Sequence, residues 1–247
     1  METDTVAEKT AQSKHERTAR DVSPETEDLE AELFLTDAGK VLVRSLRAHG
    51  GWDYWLGLSH VTYTRTRIVP EERKPVAQDE KRDPVDHVFP KNRDKSDSFD
   101  LHIDPAHFRF EGPLPSGART FDWPEEHFLF CVPFLLADPR FRREYAGIEA
   151  DAKTGESFEK IRCFREDVMT EEWVVAFFDR STWLLKRLLR RDAEGKFTLV
   201  LLSDWKDIGG LRIPAKRSVY FLEGLFGHRE MGRPDYIDVL SDFHESD

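Results

Sequence analysis

From Glu144 to Leu222 the chain alternates between apolar and polar positions in runs of strand length: Glu144–Asp151, Ser157–Arg165, Glu172–Asp179, Trp183–Arg191, Lys196–Asp207 and Arg212–Leu222. These runs are rich in Val, Ile, Phe, Tyr, Trp and Thr. Short turn signals separate them: Asp151-Ala-Lys-Thr-Gly155, Asp179-Arg-Ser-Thr182, Asp192-Ala-Glu-Gly195 and Ile208-Gly-Gly210. Period-two alternation broken by Gly, Asp and Ser predicts an antiparallel meander. One face of such a sheet must be covered by other elements.

Upstream, the pattern changes. Ser23-Pro24-Glu25 reads as a helix start, with Leu29, Leu33, Leu35, Val41, Leu42 and Leu46 forming a drifting helical stripe. Thr36-Asp37 is placed to break that stripe and cap a second helix. Gly50-Gly51 supplies the stop, and His49 beside it sits where the helix dipole favours a protonated imidazole. Trp52, Tyr54 and Trp55 read as an anchor at the edge of a core. Leu58–Val69 alternates as a strand, with Val61, Tyr63, Arg65 and Arg67 on one face and Thr62, Thr64, Thr66 and Ile68 on the other. Strand signals return at Ser98–Ile103, Ala106–Glu111 and Ala118–Trp123. A nearly all-apolar helix is predicted over Glu125–Leu136, buried inside or beneath the sheet. A last edge strand, with Asp238 exposed, is expected around Tyr236–Phe243.

These elements predict an α+β fold: one strongly curved antiparallel sheet of roughly ten to eleven strands, a half-barrel wrapped around one or two helices. Residues 1–22 read as a disordered acidic tail, and residues 23–243 as the domain. Residues 70–96 form a charged, proline-containing loop insertion.

Composition narrows the classes of function. The chain has 247 residues and a formal net charge of −11, which argues against general affinity for nucleic acid or anionic membranes. Arg187, Arg190 and Arg191 read as a solvated strand and turn. No apolar run is long enough to span a bilayer, and Met1–Asp28 has no signal-peptide character. Cys131 and Cys163 are the only cysteines and have no metal-ligand spacing, so they read as buried free thiols.

Catalytic motifs are missing: there is no nucleophile elbow, no phosphate-binding glycine loop and no reactive cysteine setting. The best metal-like constellation is Asp100-Leu-His102-Ile-Asp104-Pro-Ala-His107. On a strand, Asp100, His102 and Asp104 share one face, with His107 returning on the next strand. The same pattern also describes the polar solvent face of a hairpin. Ser181 and Glu125-Glu126-His127 are explained by turn chemistry and a helix start.

Several local patterns resemble an exported branch of uncharacterised proteins in the LolA/LolB-like lipoprotein-carrier superfamily. They are Arg47-Ala-His-Gly-Gly51 with Trp52 and Trp55, the Phe128–Leu136 segment with Pro133, and the Tyr145-Ala-Gly147 step. Phe178-Asp179-Arg-Ser-Thr182 with Leu184-Leu185 follows, then Trp205-Lys-Asp-Ile-Gly-Gly-Leu-Arg-Ile-Pro214. The resemblance extends from about Leu33 to Leu222. It implies a curved sheet around helices with an apolar cavity, a periplasmic or cell-envelope setting, and a lipid or possibly a lipoprotein as partner. Two departures stand out: the lack of a signal segment, which alone would read as cytoplasmic, and the long insertion at 70–96.

Together these readings nominate non-enzymatic binding of a hydrophobic or amphipathic ligand in the concave hollow, with no cofactor. Alternation nominates Tyr63, Arg65, Phe108, Phe128, Phe177 and Tyr220 as its lining, although it leaves open which sheet face is concave. The alternatives are a metal-dependent hydrolase using Asp100, His102 and His107, and a ligand-free interaction module acting through the 70–96 loop.

Overall fold

A computed structural model describes residues 24–70, 94–111, 119–120, 123–165, 171–223 and 233–245. The expected acidic tail at 1–22 and most of the expected loop at 70–96 lie outside these residues. Helix α1 (Pro24–Leu33) ends before Thr36, whose hydroxyl accepts from the Gly39 N–H at 3.0 Å and caps α2 (Asp37–Ala48). Helix α3 (Trp52–Leu56) follows. The strands β1 (His60–Ile68), β2 (Asp94–Asp104) and β3 (Arg109–Glu111) come next, with a single 3₁₀ turn at Pro105–His107. A small ribbon of β4 (Arg119–Thr120) and β5 (Trp123–Pro124) leads into α4 (Glu125–Cys131). The meander then runs β6 (Phe141–Ala150), β7 (Ser157–Arg165), β8 (Trp173–Asp179), β9 (Leu185–Arg191), β10 (Phe197–Ile208) and β11 (Leu211–Leu222). Strand β12 (Tyr236–Glu245) ends the described chain.

Ten of these strands form one antiparallel sheet, in the order β3-β2-β1-β12-β11-β10-β9-β8-β7-β6. It is curved and unclosed, an α+β half-barrel. The inner face can be read from β8. Val174, Ala176 and Phe178 join the main core with α2, α3 and α4, while Trp173, Val175 and Phe177 belong to a second apolar cluster on the outer face. Cys131 and Cys163 are free and buried. Burial pushes the Cys163 thiol up to about 12 and that of Cys131 well above its ordinary range, so neither is poised as a thiolate.

The differences from the sequence reading have local causes. The expected helix over Glu125–Leu136 stops at Cys131 and resumes as a 3₁₀ turn at Phe134–Ala137, because Pro133 lacks the amide a continuing helix needs. Strand β2 starts at Asp94, inside the expected loop. The Ala106–Glu111 strand is shortened because Pro105–His107 coils, and the Ala118–Trp123 strand is replaced by the β4–β5 ribbon. Strand β12 is central rather than an edge, lying between β1 and β11. Its Asp238 is buried instead of exposed, held by Arg67 Nε at 2.8 Å. A strand at the end of the chain with acids in it looks like an edge in sequence. Here the arginines of its neighbours make burial possible.

Three of the separated sequence patterns meet at His49. Its Nδ1–H donates to the Ser45 carbonyl at 2.7 Å, and its Nε2 accepts from the Leu185 N–H on β9 at 3.5 Å. The ring packs edge-on against Trp205 of β10, with centroids 5.0 Å apart, and the His49 carbonyl accepts from the Arg212 N–H of β11 at 3.0 Å. Both ring nitrogens are thus used by a neutral imidazole. Burial lowers the His49 pKa from 6.5 to about 4, so the protonated form expected from the helix dipole is not the one held here. Gly50, at φ 115°, brings the chain so close to the β10–β11 turn that a Cβ there would lie 2.3 Å from the Gly210 carbonyl oxygen. Gly210 in turn lies under the Tyr54 ring, which a Cβ would meet at 2.2 Å.

This close approach predicts unequal costs for two glycine substitutions. Gly50→Ala should destabilise the fold by about 3 kcal/mol or more, because strain and a backbone clash act together. Gly155→Ala, at φ 74° with open space around it, should cost only about 1 kcal/mol. Urea unfolding of the two variants checks this, and equal losses would contradict the joint.

Candidate functional site

The structure does not bring the six nominated lining residues together. Tyr63, Phe108 and Phe128 are buried in the main core. Arg65 is on the same face of β1 as Tyr63, but its guanidinium is engaged with Asp97 at 2.6 Å and lies 4.7 Å from the centre of the Phe99 ring. Phe177 and Tyr220 are in the outer-face cluster with Phe158, Leu189 and Leu199. Strand β8 carries apolar residues on both faces, so alternation could not separate inner from outer. The outer apolar rings are covered by long cations: Arg187 lies 4.2 Å over Phe158, and Arg162 5.2 Å over Trp173. Arg187 also pairs with Asp151 at 2.7 Å, so this arginine is less solvated than its sequence suggested.

Beneath the helices, the described side chains pack against one another. Trp55 stacks on Phe134 with centroids 4.9 Å apart and planes 4° apart, and Tyr63 is stacked with Phe99 and Phe130 at 5.2 and 4.9 Å. Besides His49, one buried polar group is a row across three strands. Arg67 of β1, Asp238 of β12 and Arg217 of β11 are directly opposite one another in register. Arg67 holds both Asp238 oxygens, at 2.8 and 2.9 Å, and lies 3.9 Å over the Tyr236 ring. Arg217 and Asp238 are fully buried.

An opening lies where the sheet splays. Strands β11 and β12 pair only from Lys216↔Val239 to Val219↔Tyr236; beyond this, β12 follows β1 while β11 follows β10. The register of β1 and β12 shifts between Thr62 and Thr64, and Asp242 there takes φ 52°. Such a bulge bends a strand away from its neighbour. On β10, Asp204 takes φ 54°. The resulting groove has a volume of about 820 Å³. Ile208, Ala215, Val239, Leu240 and Phe243 supply apolar wall, while Asp204, Asp207 and Asp242 outnumber Lys206 at its lip. No motif in the sequence marks this groove. Its signals were two aspartates inside strand patterns, residues that tolerate the left-handed conformation.

The histidine constellation also differs from its sequence form. His107 pairs with Asp104, Nδ1 to Oδ2 at 2.7 Å, and stands apart from Asp100 and His102. The partner of those two is His60 of β1, directly opposite His102. The imidazoles stack with centroids 4.3 Å apart and planes 5° apart. Nε2 of His60 hydrogen-bonds Asp100 Oδ1, and Nε2 of His102 is 3.4 Å from the same oxygen. The hydrogen bond from His60 holds the Asp100 carboxyl below its ordinary range. Leu101 and Ile103 point into the core, which puts this cluster on the outer face as the alternation of β2 required.

With the geometry in view, the chain can be set beside known proteins. No protein-family model matches it, and no curated protein matches it in sequence. Among solved structures, a DUF1329 family protein from Desulfovibrio piger is similar over 85% of this chain and 93% of its own, with 11% identity and a TM-score of 0.47. A LolA superfamily protein from Nitrosomonas europaea is similar over 86% and 94%, at 10% identity and TM-score 0.48. A domain named for outer membrane lipoprotein sorting, from Vibrio parahaemolyticus, is similar over 84% and 91%, at 9% identity and TM-score 0.46. These are likenesses in the course of the chain, and they say nothing of a ligand here. No helix among the described residues is long and apolar enough to cross a membrane.

The buried ionic row makes its own prediction. Asp238→Ala removes the carboxylate that faces two arginines and should destabilise the protein by about 3 kcal/mol or more. Chemical denaturation measures it; a loss below about 1 kcal/mol would mean that Asp238 is not what compensates these arginines.

Proposed function

We propose that the protein is a non-enzymatic binder of an amphipathic small molecule, an alkyl or acyl chain with a neutral or cationic polar end, held in the groove between β11 and β12. One observation carries this reading: an opening of about 820 Å³ with apolar walls and an acidic lip, formed where two strands of the half-barrel separate. Its volume falls within the range of small-molecule sites. Transfer of alkyl surface from water to Ile208, Leu240 and Phe243 supplies the affinity, at about 25 cal/mol per Å² before the costs of association. The aspartates at the lip repel an anionic headgroup and attract a cationic one. In this reading the ligand lies in the splay between β12 and the β10–β11 hairpin instead of in the hollow beneath the helices, away from Arg65.

A neutral fluorescent amine, N-phenyl-1-naphthylamine, tests the assignment. Its fluorescence should rise on binding, and dodecyltrimethylammonium should displace it better than dodecyl sulfate below their micellar concentrations. Ser241→Trp, which fills the groove from β12, should weaken the probe by roughly tenfold, or about 1.4 kcal/mol. Phe177→Ala and Tyr220→Ala, on the outer face, should leave binding unchanged. Unaltered binding in Ser241→Trp, or loss in the outer-face variants, would overturn the location; stronger displacement by dodecyl sulfate would overturn the headgroup preference.

A further inference from the structure

The outer-face cluster of His60, Asp100 and His102 is independent of the groove and has the makings of a metal site. Its geometry follows from strand pairing. The Ile103 N–H donates to the Ser59 carbonyl at 2.9 Å, so the ladder hydrogen bonds flank the His60–His102 pair instead of joining it. A non-hydrogen-bonded antiparallel pair brings its side chains closest together, and the imidazoles accordingly stack at 4.3 Å. Asp100 lies two residues along β2 on the same face, diagonal to His60. Both rings therefore turn Nε2 toward one carboxylate, and the three candidate ligand atoms lie within 4.8 Å of one another.

We propose that His60, Asp100 and His102 bind one zinc ion, through the two Nε2 atoms and an Asp100 oxygen. Zinc–ligand bonds of about 2.0–2.1 Å in a tetrahedron place neighbouring ligand atoms about 3.3–3.4 Å apart. The His102 Nε2 to Asp100 Oδ1 separation is 3.4 Å without any adjustment. The shorter His60 contact opens by rotation of Asp100, whose side chain is 64% exposed. The two histidines come from paired strands, which fix their backbones; the stacked rings turn about their side-chain bonds so that both Nε2 lone pairs meet at the ion, and the exposed carboxylate moves with them. Two imidazoles with one carboxylate suit zinc and its transition-metal neighbours and do not suit magnesium or calcium, which prefer all-oxygen sites. With His102 47% exposed, the fourth position is open to water.

The ion displaces whatever proton Nε2 carries on each ring, so binding releases protons and weakens as pH falls. Zinc alone, titrated into the full chain against a chromophoric chelator, provides the test, with cobalt absorption reporting the coordination geometry. One equivalent should bind, and the cobalt form should show the intense visible bands of a four-coordinate ion. His60→Ala and His102→Ala should each lose at least tenfold in affinity, with thermal melting of the metal-free variants confirming that they fold. His107→Ala, in the separate pair with Asp104, should bind as the wild type does. Absence of stoichiometric binding, retention of affinity in the His60 and His102 variants, or equal loss in His107→Ala would overturn the site.

Discussion

The position of the helical layer depends on one buried imidazole. His49 ends α2, and its ring and carbonyl reach three strands of the meander through Leu185, Trp205 and Arg212. An amphipathic helix under a curved sheet could slide along it, since apolar contact is not directional. Directional bonds at His49, together with the Gly50–Gly210 approach, fix where α2 stops. That constraint seats Trp52, Trp55 and the Phe134 turn in the concavity, where their rings fill the space.

Among the described residues the inner face is closely packed, which changes what the half-barrel can do. A carrier in the simplest sense needs a hollow between helices and sheet, and here the inner face is occupied by Tyr63, Phe130, Phe99 and their neighbours. Among the described residues, an open groove lies where the sheet splays, beside the β10–β11 turn that His49 and Gly50 hold. The joint and the groove share that turn: Ile208 and Gly209 line the groove, and Gly210 meets Gly50. A ligand in the proposed groove would thus rest against a hairpin tied to α2.

Most of the fold was legible in the chain because the meander announces itself twice, by alternation and by its turns. Strands β7 to β11 begin and end within two residues of the expected positions. Legibility failed where one residue depends on a distant one. Asp238 looked exposed until Arg67, far away in sequence, was placed opposite it. His60 was overlooked as the neighbour of His102 and Asp100 because a long segment separates them, which hid their cross-strand pairing. Phe177 lies on the outer face, which its sequence could not show: both faces of β8 are apolar, and residue type cannot then reveal direction. The groove was least visible of all, since it is made by strands parting and not by any motif. Three of the patterns behind the resemblance, Arg47–Gly51, Leu184-Leu185 and Trp205–Pro214, meet in a structural joint. This explains why they announce a fold without announcing a function.

The imidazole of His49 can be observed directly. Its folded pKa lies below its unfolded value of 6.5, so the neutral ring contributes stability above pH 6.5, and that contribution is lost as pH falls toward about 4. Long-range proton–nitrogen NMR correlations of the His49 ring across this range are the measurement of choice. The account predicts a neutral ring protonated on Nδ1, with a midpoint of about 4 while the protein remains folded. A ring that titrates near 6.5, or carries its proton on Nε2, would contradict the joint on which the rest of the structure is built.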